Sequence, residues 1–133
     1  MKYLCLVYGE EKAIQSMDDR HCLDYDESVR ASGHCVASEA LQPVATATTV
    51  RVRNGKVSVT DGPFAETKEL VAGYTIINVK SPEEAKQWAL KFPNPTIDGS
   101  DCEVEVRRFF ELEDFQPSAQ IERFKEMRSS SAK

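Results

Sequence analysis

The stretch Gly73-Tyr74-Thr75-Ile76-Ile77-Asn78-Val79, followed after Lys80 by Ser81-Pro82-Glu83-Glu84-Ala85, decides the fold. Its first seven residues are rich in β-branched and aromatic side chains, the composition of a strand. The last five switch to a helix start. Ser81 suits the N-cap, Pro82 the first helical position, and two acids fall in the first turn, where they meet the positive end of the helix dipole. Ala85, Trp88, Ala89 and Phe92 then recur at i, i+3, i+4 and i+7, so one apolar stripe faces a sheet until Pro93 stops the helix. A strand and a helix folded back on it make half of a two-layer unit.

The other half lies upstream. Tyr3–Tyr8 is apolar and aromatic throughout, which predicts a central strand covered on both faces and ended by Gly9-Glu10-Glu11. Ser16-x-x-Asp19 has the spacing of a reciprocal helix cap, and the helical pattern runs to Ser32 with Gly33 as its stop. Cys22, Tyr25 and Val29 share the buried face of that helix. Asp24, Glu27 and Arg30 point to solvent, and His21 sits on the flank, close to Tyr25 on the next turn. His34–Leu41 reads as a second strand, ended by Gln42-Pro43, with His34 as an exposed turn histidine. Thr48–Arg53 and Lys56–Thr60 alternate around Asn54-Gly55, the preferred pair for a two-residue hairpin turn. Val50, Val52, Val57 and Val59 form one face of this hairpin, expected to be buried, while the other face carries Arg51, Arg53 and Lys56.

Downstream of Pro93, Asn94–Asp101 reads as a loop. Its Asp98 and Asp101 lack the alternating oxygen ligands of a calcium loop, so a solvated loop is expected. Cys102–Leu112 is the last strand, with Val104 and Val106 on one face, Glu103, Glu105 and Arg107 on the other, and Phe109 and Phe110 capping its end. Pro117–Arg128 is a weakly amphipathic helix with Ile121 and Phe124 as apolar contacts, and Ser129–Lys133 is expected to be disordered. Helices segregated to one face of an antiparallel sheet make an α+β two-layer sandwich. The other sheet face is then apolar and uncovered, which marks an interface. The expectation is a homodimer with the sheets face to face and a cavity between them.

Composition narrows the function classes. A chain of 133 residues is one domain and buries about two-thirds of its unfolded surface, enough to fold without disulfides or metal. The net charge of −5 argues against a nucleic-acid partner. No apolar run is long enough for a membrane helix, and Met1-Lys2 leads into no cleavage-site signal. Cys5, Cys22, Cys35 and Cys102 form no Cys-x-x-Cys and fit no zinc spacing, so no metal site is expected and the thiols fit a reducing, cytoplasmic setting. There is no glycine-rich phosphate cradle and no Ser/His/Asp spacing of a hydrolase.

Between the hairpin and the strand at Gly73 lies Asp61-Gly62-Pro63-Phe64-Ala65-Glu66-Thr67-Lys68-Glu69, a turn loaded with polar groups. Gly62 and Pro63 shape the turn, and Phe64 pins it to a core. Asp61 has two readings. It caps its own turn, or it is a carboxylate partly desolvated beside Pro63-Phe64 and suited to proton transfer, the first choice for a catalytic acid or base. Glu66 and Lys68 are candidate substrate-binding groups on the same loop, with Tyr25 and His21 from the first helix and Glu105 as a further cavity residue.

This nine-residue segment resembles the signature of the YciI-related DGPF proteins, a YCII-like family. So do Met1-Lys2-Tyr3-Leu4-Cys5-Leu6-Val7-Tyr8, Glu39-Ala40-Leu41-Gln42-Pro43 with Thr48–Arg53, and Val104-Glu105-Val106-Arg107, in the same order across residues 1 to 112. The resemblance implies a ferredoxin-like fold that pairs into a dimeric α/β barrel, with the hairpin as an insertion at the sheet's edge. The family domain would take residues 1–115, leaving a C-terminal helix and flexible tail at 116–133. It also implies suspected enzyme activity, similar to muconolactone isomerase-type barrels, on a small organic molecule with no tightly bound cofactor. Some relatives carry a His–Asp pair, but the matching position here is Cys22. His21 is one residue away, a 100° turn of helix, so that pair is not inherited in place. Such proteins are often encoded beside extracytoplasmic-function sigma factors, which supports a second reading as a non-catalytic ligand-binding or regulatory module. A third is a purely structural homodimer.

Overall fold

Strand β1 (Lys2–Glu10) is the axis of the molecule. It pairs antiparallel with β5 (Glu69–Asn78), from Lys2↔Asn78 to Glu10↔Glu69. On its other side it pairs antiparallel with β6 (Cys102–Arg108), from Tyr3↔Arg108 to Gly9↔Cys102. Strand β2 (Cys35–Ala40) adds to the far side of β5, so the order is β2-β5-β1-β6. The computed structural model describes residues 1–10, 19–63, 69–92 and 102–131. The expected central strand is therefore present, and Ser16 and the loop from 94 lie outside the described residues.

Helix α1 (Asp19–Ala31) joins β1 to β2, and helix α2 (Pro82–Leu90) joins β5 to β6. Each connects strands separated by one intervening strand, the split βαβ pattern of a ferredoxin-like sandwich. Gly33 ends α1 with φ +80°, and its N–H donates to the Arg30 carbonyl at 3.1 Å. Ser81 caps α2 as its sequence predicts, its hydroxyl accepting from the Glu84 N–H at 3.2 Å.

Alternation along β1 divides the sheet. Tyr3 and Cys5 point to the helix side and are buried with Tyr25 and Val29 of α1, Ile77 of β5 and Trp88 of α2. Fully burying an aliphatic side chain contributes about 1.5–3 kcal/mol, and Val29 and Ile77 are both wholly buried. Leu4 and Leu6 point to the opposite face, where register places them beside Ile76 and Tyr74. These four are half-buried and none belongs to the core. The β1–β5 register shifts between Val7 and Tyr8, because Ala72 is an extra residue between the partners Gly73 and Val71.

Strands β3 (Thr48–Arg53) and β4 (Lys56–Asp61) form the expected hairpin, with Asn54 at φ 52° and Gly55 at φ 76°. Both central turn residues are left-handed, as a type I′ turn requires. The hairpin is inserted between β2, an edge strand of the four-stranded sheet, and β5, and forms a two-stranded sheet of its own. One expectation is corrected here, because its valine face is exposed: Val50, Val52, Val57 and Val59 are 62–67% accessible. The alternation encodes an apolar face, but a hairpin paired only with itself has no second layer behind it.

The C-terminal region departs from expectation as well. Strand β6 ends at Arg108, and Leu112–Asp114 is a short 3₁₀ turn with a reciprocal Glu111/Asp114 cap. Phe110 is exposed and leans on Phe115, with ring centres 5.2 Å apart. Helix α3 (Ala119–Ser131) runs through the serines expected to be disordered. Ser129 and Ser131 donate their hydroxyls to the Lys125 and Met127 carbonyls, occupying acceptors in the last turns. No residue of α3 is buried.

Candidate functional site

The uncovered sheet face is apolar at its centre and polar at one end. Glu103, Glu105 and Arg107 stand at alternate positions of β6, so all three share this face, while Val104 and Val106 pack toward the core. Tyr8 on β1 lies directly opposite Glu103. It leans one pair along, and its hydroxyl donates to Glu105 Oε2 at 3.0 Å. Arg107 Nη2 donates to Glu105 Oε1. Both carboxylate oxygens of Glu105 are therefore engaged.

Electrostatics follows from these contacts. The hydrogen bond from Tyr8, then that from Arg107, holds the Glu105 carboxyl below the usual glutamate range. The same bond pushes the Tyr8 phenol above its usual range, because losing that proton would set two anions side by side. Glu105 stays an anion and Tyr8 stays a donor. Tyr8, Glu103, Val104 and Glu105 line a depression of about 460 Å³.

A larger cleft of about 660 Å³ opens on the other side of the sheet, between α2 and β6. Its walls include Tyr3, Leu90, Phe92 and Val106, with Lys86 as the cation on its lining. It has greater volume but little chemistry. The Tyr8–Glu105–Arg107 chain is the stronger candidate.

Asp61 is exposed at the root of the hairpin, where its backbone pairs with Thr48. The turn after it is held by backbone and hydroxyl contacts. Gly62 takes φ +102°, its N–H donates to the Ala47 carbonyl at 2.7 Å, and Thr49 Oγ1 donates to the Gly62 carbonyl at 2.7 Å. A Cβ at that φ would be strained, so Gly62 is required for the turn. Among the described residues, no backbone amide donates to the Asp61 carboxylate.

The remaining candidates are dispersed. Glu66 and Lys68 lie outside the described residues, and so does the side chain of His21, although its backbone belongs to α1. Tyr25 is on the helix side of the sheet, in the core. Its hydroxyl donates to the Trp88 carbonyl at 3.1 Å, its ring packs on Phe92 at 4.1 Å, and burial pushes its phenol well up. Tyr25 therefore joins α1 to α2 and does not reach the uncovered face.

His34 is another departure, because it is engaged and not a free turn residue. Its Nδ1 stands 3.0 Å from the Asn78 carbonyl and its Nε2 3.0 Å from Glu84 Oε1. Among the described residues, no group of three or more His, Cys, Asp or Glu side chains is placed to hold a metal ion, and no helix is long and apolar enough to cross a membrane.

Known proteins give three points of comparison. In fold, the chain is similar to 5-chloro-2-hydroxyhydroquinone dehydrochlorinase from Burkholderia phenoliruptrix AC1100, solved in complex with 2,5-dihydroxybenzoquinone. The TM-score is 0.47 at 14% identity, over 87% of this chain and 100% of that one. In sequence, it is 32% identical over 111 residues to an uncharacterized protein of Rhizobium meliloti (strain 1021), covering 78% of this chain and 90% of the relative. The family described as the YCII-related domain matches residues 1–110. With its split βαβ sandwich and that match over most of its length, the chain belongs to the YCII-related family.

Proposed function

We propose that this protein is an enzyme that moves a proton on a small organic molecule, bound between the facing sheets of a homodimer, with Asp61 as acid or base. The observation that carries the reading is the Tyr8–Glu105–Arg107 chain beside the apolar centre of the uncovered sheet face. Closing that face against a second copy removes Leu4, Leu6, Tyr74 and Ile76 from water, at about 25 cal/mol per Å². Sealing Glu105 and Arg107 under the same contact would cost their hydration, which a buried pair does not fully recover. A void left over the charged chain satisfies both demands. An apolar wall with a few fixed polar groups is the usual make-up of a small-molecule site.

In this reading Glu105, Arg107 and Tyr8 bind and orient the ligand, since their contacts fix the protonation of Glu105 and Tyr8. Proton transfer falls to Asp61, with Glu66, Lys68 and His21 as the remaining ligand contacts. The cytoplasm is the proposed compartment, in keeping with the thiols of Cys5 and Cys35.

The test is a thermal-shift screen of small metabolites on the wild type, Asp61→Asn and Glu105→Gln, followed by turnover assays on the hits. A ligand at 100 times its dissociation constant adds about 2.7 kcal/mol, a shift of roughly 5 to 15 °C for a chain of this size. The reading expects hits weakened by Glu105→Gln and turnover abolished by Asp61→Asn. Binding without turnover in the wild type would reduce the protein to a ligand-binding module. Hits unaffected by Glu105→Gln would move the site off the sheet face.

A further inference from the structure

We infer a second binding site, for a small monoanion with a flat apolar body, in the depression where the start of β1, the 3₁₀ turn and α3 meet. The site is separate from the sheet-face cavity proposed above and does not depend on the homodimer. Lys2 and Tyr8 lie at opposite ends of β1, ~20 Å apart at ~3.4 Å per residue.

The depression has a volume of about 400 Å³, within the range of small-molecule sites. Three cations line it: Lys2 from β1, and Lys125 and Arg128 from α3. They come from the two ends of a chain whose net charge is −5, so the cluster runs against the average charge. Lys125 and Arg128 stand at i and i+3, neighbours on the helix surface. Pairing within the protein uses little of this charge. Lys125 meets Glu122 at 3.4 Å in a pair open to solvent, a kind worth little. Lys2 Nζ lies 6.0 Å from the centre of the Phe109 ring. Among the described residues, Arg128 has no ion pair.

Two carboxylates share the lining, Glu111 and Glu113. Glu111 is already engaged. Its side chain accepts from the Asp114 N–H, and its Oε1 stands 3.9 Å from both the Met1 ammonium and Arg108 Nη2. Even with both acids counted in full, one positive charge is left over, and it matches a single negative charge on the ligand. Phe110 and Leu112 supply the apolar wall. Phe110 is 74% exposed, and a ring laid on it would take that surface out of water. A carboxylate on the same ring meets the guanidinium fork of Arg128. Such a ligand also ties α3, which buries no residue of its own, to the start of β1.

The test is a titration of isotope-labelled protein with benzoate, benzyl alcohol and inorganic phosphate, followed by amide NMR shifts. Benzoate carries both ring and charge, and the other two carry one each. Each probe is taken to ~20 mM, above the roughly 10 mM dissociation constant that benzoate's nine non-hydrogen atoms give at ordinary ligand efficiency. Benzoate should shift the amides of Phe110, Leu112 and Lys125–Ser129, and bind about tenfold more tightly than either other probe. Arg128→Gln and Lys2→Gln should each weaken it about tenfold. Arg123→Gln, the same charge change on α3 outside the lining, should leave it unchanged. All three positions are exposed, so the variants keep the fold. Equal weakening by Arg123→Gln, or phosphate binding as tightly as benzoate, overturns the site and leaves a diffuse basic patch. Benzyl alcohol binding as tightly as benzoate overturns the monoanion. Shifts confined to Tyr8, Glu103 and Glu105 overturn the site and favour the sheet-face cavity instead. No shift with any probe overturns it outright and leaves the sheet-face reading to its own screen.

Discussion

Tyr8 and Glu105 stand 97 residues apart in sequence and are joined by a 3.0 Å hydrogen bond across two strands. The pair sets a pH window. The depressed Glu105 carboxyl contributes stability that is complete above the ordinary glutamate value, about 4.3, and is lost as pH falls through its lower folded value. The raised Tyr8 phenol contributes stability that is complete below about 10 and is lost as pH rises through its higher folded value. The melting-temperature gap between wild type and Glu105→Gln should therefore narrow at the acid end, and the gap to Tyr8→Phe at the alkaline end. A gap that stays constant from about pH 3 to about pH 11 would show that the bond does not form in solution.

His34 ties three segments together: the start of β2, the end of β5 through Asn78, and the first turn of α2 through Glu84. His34→Ala should lower stability by about 1–2 kcal/mol, a range scaled down because both partners are about 30% exposed. A double-mutant cycle with Glu84→Gln should return a coupling of roughly 0.5–1 kcal/mol. Additive single effects would mean that the two side chains act separately.

Gly73 of β5 pairs with Ala40 of β2. A Cβ at this position would lie 2.8 Å from the Glu39 carbonyl oxygen and 3.3 Å from the Ala40 Cα, both backbone atoms that cannot swing aside. Gly73→Ala should cost about 1–3 kcal/mol in urea unfolding. Amide exchange should quicken along β2, while the β1–β6 ladder stays protected. Uniform loss of protection would contradict this local account.

Cys5 is fully buried, and burial pushes its thiol up to about 11. Near pH 8 roughly one thiol in a thousand is ionised, so a disulfide reagent should leave Cys5 untouched until the protein unfolds. Cys35 is only partly buried and should react first of the two. Peptide mapping of a labelling time course reads the order directly, and early labelling of Cys5 would mean that α1 opens away from the sheet.

Local structure was legible wherever a short range of residues sets it. The Asn54-Gly55 turn and the Ser81-Pro82 cap stand where their chemistry puts them. The pairing of β1 with both β5 and β6 has no local signal. It joins residues 59 to 105 positions apart and was reachable only through family resemblance. The hairpin valines show a related limit, since period-two alternation names an apolar face without naming its cover. At the candidate site, the alternate placement of Glu103, Glu105 and Arg107 in β6 was visible, and Glu105 was among the candidates. Tyr8 was missed, because its role depends on which strand lies next to β6. His34 read as exposed for the same reason, its two partners being supplied by other elements.

The place of β1 at the centre of the sheet has a consequence for biosynthesis. Strand β1 leaves the ribosome before both of its partners, and it bonds on one side to residues ending at Asn78 and on the other to residues ending at Arg108. At about 5–20 residues per second, roughly 5 to 20 s pass before its last partner exists. For that interval Tyr3–Tyr8 is an apolar strand with at least one open edge, the kind of segment that nascent-chain chaperones hold. The strand at the centre of the finished sheet is thus the one that waits longest for its partners.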